Sequence, residues 1–258
     1  MVATGPACPP TAPDPPGTAA GHLCQSTDTL PSALTRAVSR VRPDPTQAAL
    51  LGDEIWLMQH PPVFTLGLNA RTEHLHDAGD IPVVPTERGG QITYHGPGQI
   101  MAYLMLDLRT RRLGIRHLVD RVESAIIDCL TRYGIQAIRQ EGAPGIYVRA
   151  CSDTTSVRPI PSRPSAMASK PIRHPVAVPA ADVAKIASIG LKSSHGFSYH
   201  GLALNGQMDL SPFLRINPCG FQNLRMTDVY HEAGAHSDID LDDLALNLGR
   251  ALCTAIEG

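Results

Sequence analysis

Residues Arg88 to Gln99 read RGGQITYHGPGQ, a glycine-rich stretch with a Tyr-His pair at its centre. Two apolar runs, Gln91 to Tyr94 and Ile100 to Leu106, flank its Gly96-Pro97-Gly98 segment. Proline at the second turn position and glycine at the third suit a type II turn, so a β-hairpin is expected here. Ile100 to Leu106 is apolar on both alternations, which predicts a strand covered on both faces. Glycines at 89, 90, 96 and 98 permit positive φ and close approach of the backbone to a ligand. The stretch lacks the GK[ST] ending of a phosphate-binding P-loop and does not fit a dinucleotide fingerprint.

Short strands are predicted upstream at Glu54 to Gln59 (EIWLMQ, stopped by Pro61-Pro62), Val63 to Leu66, and Ile81 to Val84. Leu34, Val38 and Val41 recur at helical spacing, so ordered structure is expected to begin with a helix between Leu30 and Val41. Downstream, the apolar stripe of Ile115, Leu118, Val119, Val122, Ile126, Cys129, Leu130 and Tyr133 predicts a helix stopped by Gly134. Asp240 is a good N-cap for a second helix that turns Leu241, Leu244, Leu248, Leu252 and Ile256 inward. The fold class is therefore α+β, without a regular βαβ alternation. Residues 1–28, rich in Pro and Ala, are expected to be a disordered extension. Residues 29–258 are expected to form one domain, interrupted at about 149–182 by a flexible insertion with six prolines.

A net charge of −2 over 258 residues gives no electrostatic match to nucleic acid. No apolar run approaches the roughly 20 residues of a membrane helix, and the N-terminus lacks the basic start and apolar core of a signal peptide. The 6 cysteines are irregularly spaced, so neither a zinc ribbon nor a disulfide framework is suggested. The 11 histidines include no pair at ligand spacing on a predicted helix, and no metal is expected. These features suggest a protein of the reducing cytosol.

Cys129 and Cys253 belong to helical stripes and read as structural, whereas Cys219 sits in NPCG at 217–220, between a proline and a glycine, where the thiol faces a ligand. Lys185 opens an apolar strand-like run, KIASIG. If Lys185 points into a pocket with Cys219, its ammonium favours the thiolate, or its neutral amine takes the thiol proton. His200, in YHGLALN at 199–205, either lines that pocket or caps a strand. Together these segments read as a pocket that handles an acyl group through a thiol.

These segments resemble, in order, the lipoyl(octanoyl) transferase family: HPPVFTLG at 60–67, RGGQITYHGPGQ, GAPGIYV at 142–148, KIASIG, YHGLALN, DLSPF at 209–213 and INPCG at 216–220. The resemblance implies an α/β catalytic domain shared with biotin and lipoate ligases. It implies Cys219 and Lys185 as the catalytic pair. The acyl-binding residues implied are Arg88, Gly89, Gly90, Gln91, Ile92, Thr93, Tyr94 and His95, then Ser188, Ile189 and Gly190, then Gly201, Leu202 and Ala203. The implied donor is octanoyl-acyl carrier protein. The implied acceptors are lipoyl domains of 2-oxoacid dehydrogenase complexes and the glycine cleavage H protein. The chemistry calls for no cofactor or metal, and a monomer is expected. The chain departs from the family in the length of its insertion and in Thr227-Asp228, where Thr-Ser is common. Competing readings are an ATP-dependent lipoate or biotin ligase, which needs no thiol nucleophile, and a non-catalytic acyl-binding protein.

Overall fold

A computed structural model of the chain describes residues 39–41 (backbone), 53–149, 182–234 and 239–257. In chain order the elements are β1 (Ser39–Val41), β2 (Glu54–Met58), β3 (Val63–Leu66), β4 (Val83–Pro85), β5 (Ile92–His95), β6 (Gln99–Asp107), α1 (Ile115–Thr131), β7 (Ala137–Arg139) and β8 (Ile146–Arg149). They continue as β9 (Val183–Ser194), β10 (Phe197–Asn205), β11 (Arg225–Met226), α2 (Val229–Glu232) and α3 (Leu241–Glu257). The large sheet runs β1-β2-β6-β10-β9-β8-β7, with β11 parallel to β9, and a small sheet runs β4-β3-β5. The result is a mixed helix-and-strand catalytic domain, and no described helix is long and apolar enough to cross a membrane.

Each layer follows from the pattern of its residues. Leu118, Val122, Ile126 and Leu130 of α1 and Leu244, Leu248 and Leu252 of α3 are fully buried. They cover Ala102, Leu104, Ile186, Leu202 and Leu204 of the large sheet in one apolar cluster. Asp240 caps α3 through its carboxylate and the Asp242 N–H at 2.8 Å, and Gly134 ends α1 with φ 73°. The small sheet packs a second cluster around Phe64, Ile92, Tyr94, Tyr147 and Phe213 on the opposite face. Tyr94 sits between Phe64 and Phe213, with ring centroids 5.6 Å from each.

The Gly96-Pro97-Gly98 turn forms as expected, with the Gln99 N–H donating to the Gly96 carbonyl and Gly98 at φ 83°. Its strands do not pair with each other, however. β5 pairs with β3 and β6 pairs with β2 and β10, so the turn joins two sheets and is not a hairpin. The Gly98 N–H is taken by Gln59 Oε1 at 2.7 Å, and its carbonyl accepts from Gly206 and Gln207. These long-range bonds hold the turn against the ends of β2 and β10 and separate the flanking strands. The segment at 39–41 is a strand on β2, not the end of a helix, because its backbone completes the edge of the large sheet; residues 30–38 lie outside those described. The expected strand at Ile81 to Val84 is displaced to Val83–Pro85. β6 is covered on both faces at Ile100, Met101 and Ala102, while Tyr103 and Met105 are part-exposed. Arg149 pairs with Val183, so the chain returns after the predicted insertion next to where it left; the insertion itself, like residues 1–28, lies outside the described residues.

Gly98 tests the turn. A Cβ there would lie 1.8 Å from the Gln207 carbonyl oxygen, at a positive φ. Gly134 also has positive φ but an open surrounding. Urea denaturation should show Gly98→Ala losing about 3 kcal/mol or more, against about 1 kcal/mol for Gly134→Ala. Equal losses would mean that the crowding at Gly98 is not real.

Candidate active site

β9 carries a β-bulge at Ile186: Ala187 pairs with Ile146, but Lys185 pairs with Tyr147. The bulge shifts the alternation by one residue. Ile186 and Ala187 both enter the helix-side core, while Lys185 and Ser188 reach the other face and line the same cleft. The Lys185 side chain is 2% exposed. Its Nζ donates to the Pro144 carbonyl at 2.9 Å and to Cys219 Sγ at 3.1 Å, and stands 5.1 Å from the centre of the Tyr147 ring. Gly145 makes the room: a Cβ there would sit 2.6 Å from Lys185 Cε. Burial pulls the Lys185 ammonium down, but the Cys219 sulfur and the Tyr147 hydroxyl beside it outweigh burial and raise it above an ordinary lysine.

Cys219 lies on a one-turn 3-10 segment, Pro218–Gly220, with φ 57° and ψ 16°. This left-handed conformation costs a non-glycine residue about 1 kcal/mol or more and persists only where the surroundings fix it. Asn217 fixes it here. Its N–H donates to the His74 carbonyl at 2.8 Å, and its Oδ1 accepts from His76 Nε2 at 3.0 Å. Cys129 is fully buried in α1 and burial pushes its thiol up to about 12, an inert structural group. Cys253 packs part-buried on α3, and Cys8, Cys24 and Cys151 lie outside the described residues.

A cleft of about 1580 Å³ opens above this pair, between the two sheets. Every residue predicted for the site lines it except Tyr94. Tyr94 is 4% exposed and packed in the small-sheet core, so it supports the loop from beneath and its ring is not a wall of the cleft. His200 lines the cleft from within β10 at φ 63°. His95 lines it too, but both ring nitrogens are used inside the protein: Nε2 lies 3.0 Å from Thr65 Oγ1 and Nδ1 lies 2.8 Å from Gln99 Oε1. The Thr65 oxygen already accepts from Arg88 Nε and Nη2, so its own proton points to His95 Nε2, and Nδ1 donates to Gln99. Gln99 Nε2 donates to Asn205 Oδ1, and Asn205 donates to the Thr227 carbonyl, whose N–H returns to the Lys185 carbonyl. Asp228, at the departure from the family pattern, caps α2 by accepting from the His231 N–H at 2.9 Å. The sequence reading missed Thr65, Gln99, Gly145 and the Pro144 carbonyl; for Gly145 and Pro144 the GAPGIYV motif held the signal.

Burial holds His95 neutral, down to about 4, with the Gln99 hydrogen bond opposing it. His60, His74 and His200 are also lowered, each mainly by burial. The cleft thus combines a thiol, a buried ammonium, neutral imidazoles and an apolar wall. That set is suited to nucleophilic acyl chemistry.

The lipoyl protein ligase A/B catalytic domain family matches residues 33–252. The chain belongs to this family. Within it, the chain is 46% identical over 196 residues to an octanoyltransferase of Pseudomonas entomophila, covering 76% of this chain and 74% of that protein. It is 42% identical over 226 residues to an octanoyltransferase of Thiobacillus denitrificans, covering 84% and 88%. The chain belongs with these octanoyltransferases, a family of acyltransferases. Its fold is shared with a bipartite lipoate protein ligase of Thermoplasma acidophilum (TM-score 0.52, 15% identity, 80% of this chain and 71% of that one). It is also shared with a lipoate-protein ligase A bound with ATP (TM-score 0.52, 15% identity, 80% and 73%).

Two outcomes follow from the site. Gly145→Ala should drive Lys185 off the sulfur and slow alkylation of Cys219 at pH 7 by about tenfold; an unchanged rate would show that the contact does not govern the thiol. For His95, the unfolded chain gains a proton near pH 6.5 and the folded chain only near pH 4. Stability should therefore fall as pH drops from 6.5 to 4, by about 3 kcal/mol from His95. Urea titrations at several pH values should show a shallower slope in His95→Gln, the remainder coming from the other lowered histidines.

Proposed function

We propose that the protein moves an octanoyl group from octanoyl-acyl carrier protein to the ε-amine of a lipoyl-domain lysine, through a thioester on Cys219. This is the first step of endogenous protein lipoylation. The observation that carries the reading is the 3.1 Å contact between Lys185 Nζ and Cys219 Sγ at the base of a cleft. The cleft volume exceeds the roughly 300–1000 Å³ of an ordinary small-molecule pocket. That leaves space for an acyl chain and for the arm that delivers it. The acceptors are the lipoyl domains of 2-oxoacid dehydrogenase complexes and the glycine cleavage H protein. The protein acts in the cytoplasm as a monomer.

In the resting site the Lys185 ammonium lies 3.1 Å from the Cys219 sulfur, and a cation there favours the thiolate. The sulfur attacks the donor carbonyl, a new S–C bond forms, and the electron pair of C=O moves onto oxygen. Collapse of this intermediate breaks the bond to the carrier sulfur, which leaves with a proton from Lys185. The neutral Lys185 amine then accepts a proton from the acceptor amine as that nitrogen attacks the Cys219 thioester. Breaking the C–S bond leaves an amide, and the proton remains with the Lys185–Cys219 pair. Thioester exchange is nearly balanced, and the amide drives the sequence forward. Gly89, Gly190 and Gly201 let the walls of the cleft pack closely: a Cβ on Gly190 would meet Arg88 Cδ at 3.1 Å, one on Gly89 the Leu191 carbonyl at 2.8 Å, and one on Gly201 the Ala102 carbonyl at 1.8 Å.

Intact-protein mass spectrometry after mixing with octanoyl-acyl carrier protein, without ATP, tests the reading. The wild type should gain one octanoyl mass, lose it to a lipoyl domain, and form no such thioester as Cys219→Ser. Cys219→Ala should be inactive; an active Cys219→Ala protein sinks the reading. Transfer that begins only when ATP is added would assign the chain to ligase chemistry.

A further inference from the structure

The cleft holds more positive than negative charge. Four of its ionisable walls are histidines whose burial keeps them neutral. Its one carboxylate, Glu73, is more than half exposed and pairs with Arg71 at 3.4 Å. That leaves Lys185 and Arg88 without a carboxylate in the cleft that they share with the Cys219 thiol. Arg88 is mostly buried, and among the described residues it has no carboxylate partner. Its guanidinium is bound only by neutral oxygens: Thr65 Oγ1 at 3.1 and 2.9 Å, the Thr65 carbonyl at 2.6 Å and the Gly89 carbonyl at 2.9 Å.

A guanidinium removed from water without a counter-ion carries a desolvation cost that no Coulombic attraction repays. The fold nevertheless builds a slot for it. A Cβ on Gly67 would lie 2.7 Å from Arg88 Nη1, and one on Gly190 would lie 3.1 Å from Cδ. Thr65, which holds the guanidinium, is itself oriented by His95, Gln99 and Asn205, all 5% exposed or less. This chain of bonds fixes which oxygen lone pairs face Arg88, and ends on the backbone beside Lys185. The charge is therefore oriented and held back from the cleft, since most of its donors are already occupied.

We propose that Arg88 is the second cation of the site, a positioning charge held by Thr65 whose field stabilises negative charge on the Cys219 sulfur and on the oxygen of an acyl group attacked by it. A preorganised charge that need not move during reaction is the efficient way to stabilise such an anion. The role rests on the proposed reading of Cys219 as the reacting thiol. It differs from that of a residue that grips substrate, which the segment's resemblance implied for Arg88.

Paired alkylation reads the field directly. Iodoacetamide is neutral and iodoacetate is anionic, and both capture the thiolate. The ratio of their rates at Cys219, followed by peptide mass spectrometry, cancels the thiolate fraction and general changes in access. Arg88→Met should lower the iodoacetate-to-iodoacetamide ratio by about threefold or more, and Arg88→Lys should retain most of it. An unchanged ratio in folded Arg88→Met overturns the proposal. If Arg88→Met does not fold, Lys185→Met serves. With Lys185 uncharged, the ratio at Cys219 should still exceed that of N-acetylcysteine amide, a neutral free thiol, and equality overturns the proposal. Failure of both reagents to label wild-type Cys219 would overturn the thiol reading, and this proposal with it.

Discussion

A lysine ammonium buried inside a β-sheet is the constraint around which this structure is organised. Lys185 is 2% exposed, and its charge is tolerable only because the Pro144 carbonyl, the Cys219 sulfur and the Tyr147 ring surround it. Each partner places a demand on a different part of the chain. The Pro144 carbonyl reaches Nζ because Gly145, at φ 126°, turns the backbone and leaves space beside the lysine. The sulfur reaches it because Cys219 occupies a left-handed conformation pinned by Asn217. The β-bulge at Ile186 turns Lys185 out of the helix-side core and toward the cleft without spoiling the apolar face of β9.

The cleft lies between two sheets that share few main-chain ladders, so other interactions must set their separation. One is the Gly98 turn, whose backbone is bonded to Gln59, Gly206 and Gln207. Another is the buried polar chain from Arg88 through Thr65, His95, Gln99 and Asn205 to Thr227. It crosses from β3 to β10 and is saturated in one direction, so a displacement of one wall disturbs bonds in the other. Buried networks are costly when half-satisfied, which makes a fully paired one a means of fixing geometry. The aromatic cluster of Phe64, Tyr94 and Phe213 supports the same wall from below.

Much of this was legible in the chain itself. The stripes of α1 and α3, their stops and caps, and most strands follow from local periodicity and from glycine and aspartate placement, because these depend on neighbours a few residues away. The α+β class follows from them. The ordered motifs also identified the family and brought Cys219, Lys185 and the glycine loop to notice, since each residue type carries its chemistry wherever it is placed. The 39–41 segment was misread because a strand edge depends on its partner, β2, while helical spacing over three apolar residues is a weak local signal.

Only the tertiary structure decided which side of the sheet Lys185 faces, because a single bulged residue reverses the alternation and leaves no mark in composition. It decided that Gly96-Pro97-Gly98 joins two sheets, since hydrogen bonds from residues more than thirty positions away direct the strands apart. It also decided that Tyr94 packs inward and that His95 is tied up by Thr65 and Gln99. The sequence determines which groups are available and which local shapes they favour. Orientation, burial and the pairing of charges depend on contacts distant along the chain, which are set when the two sheets close around the cleft.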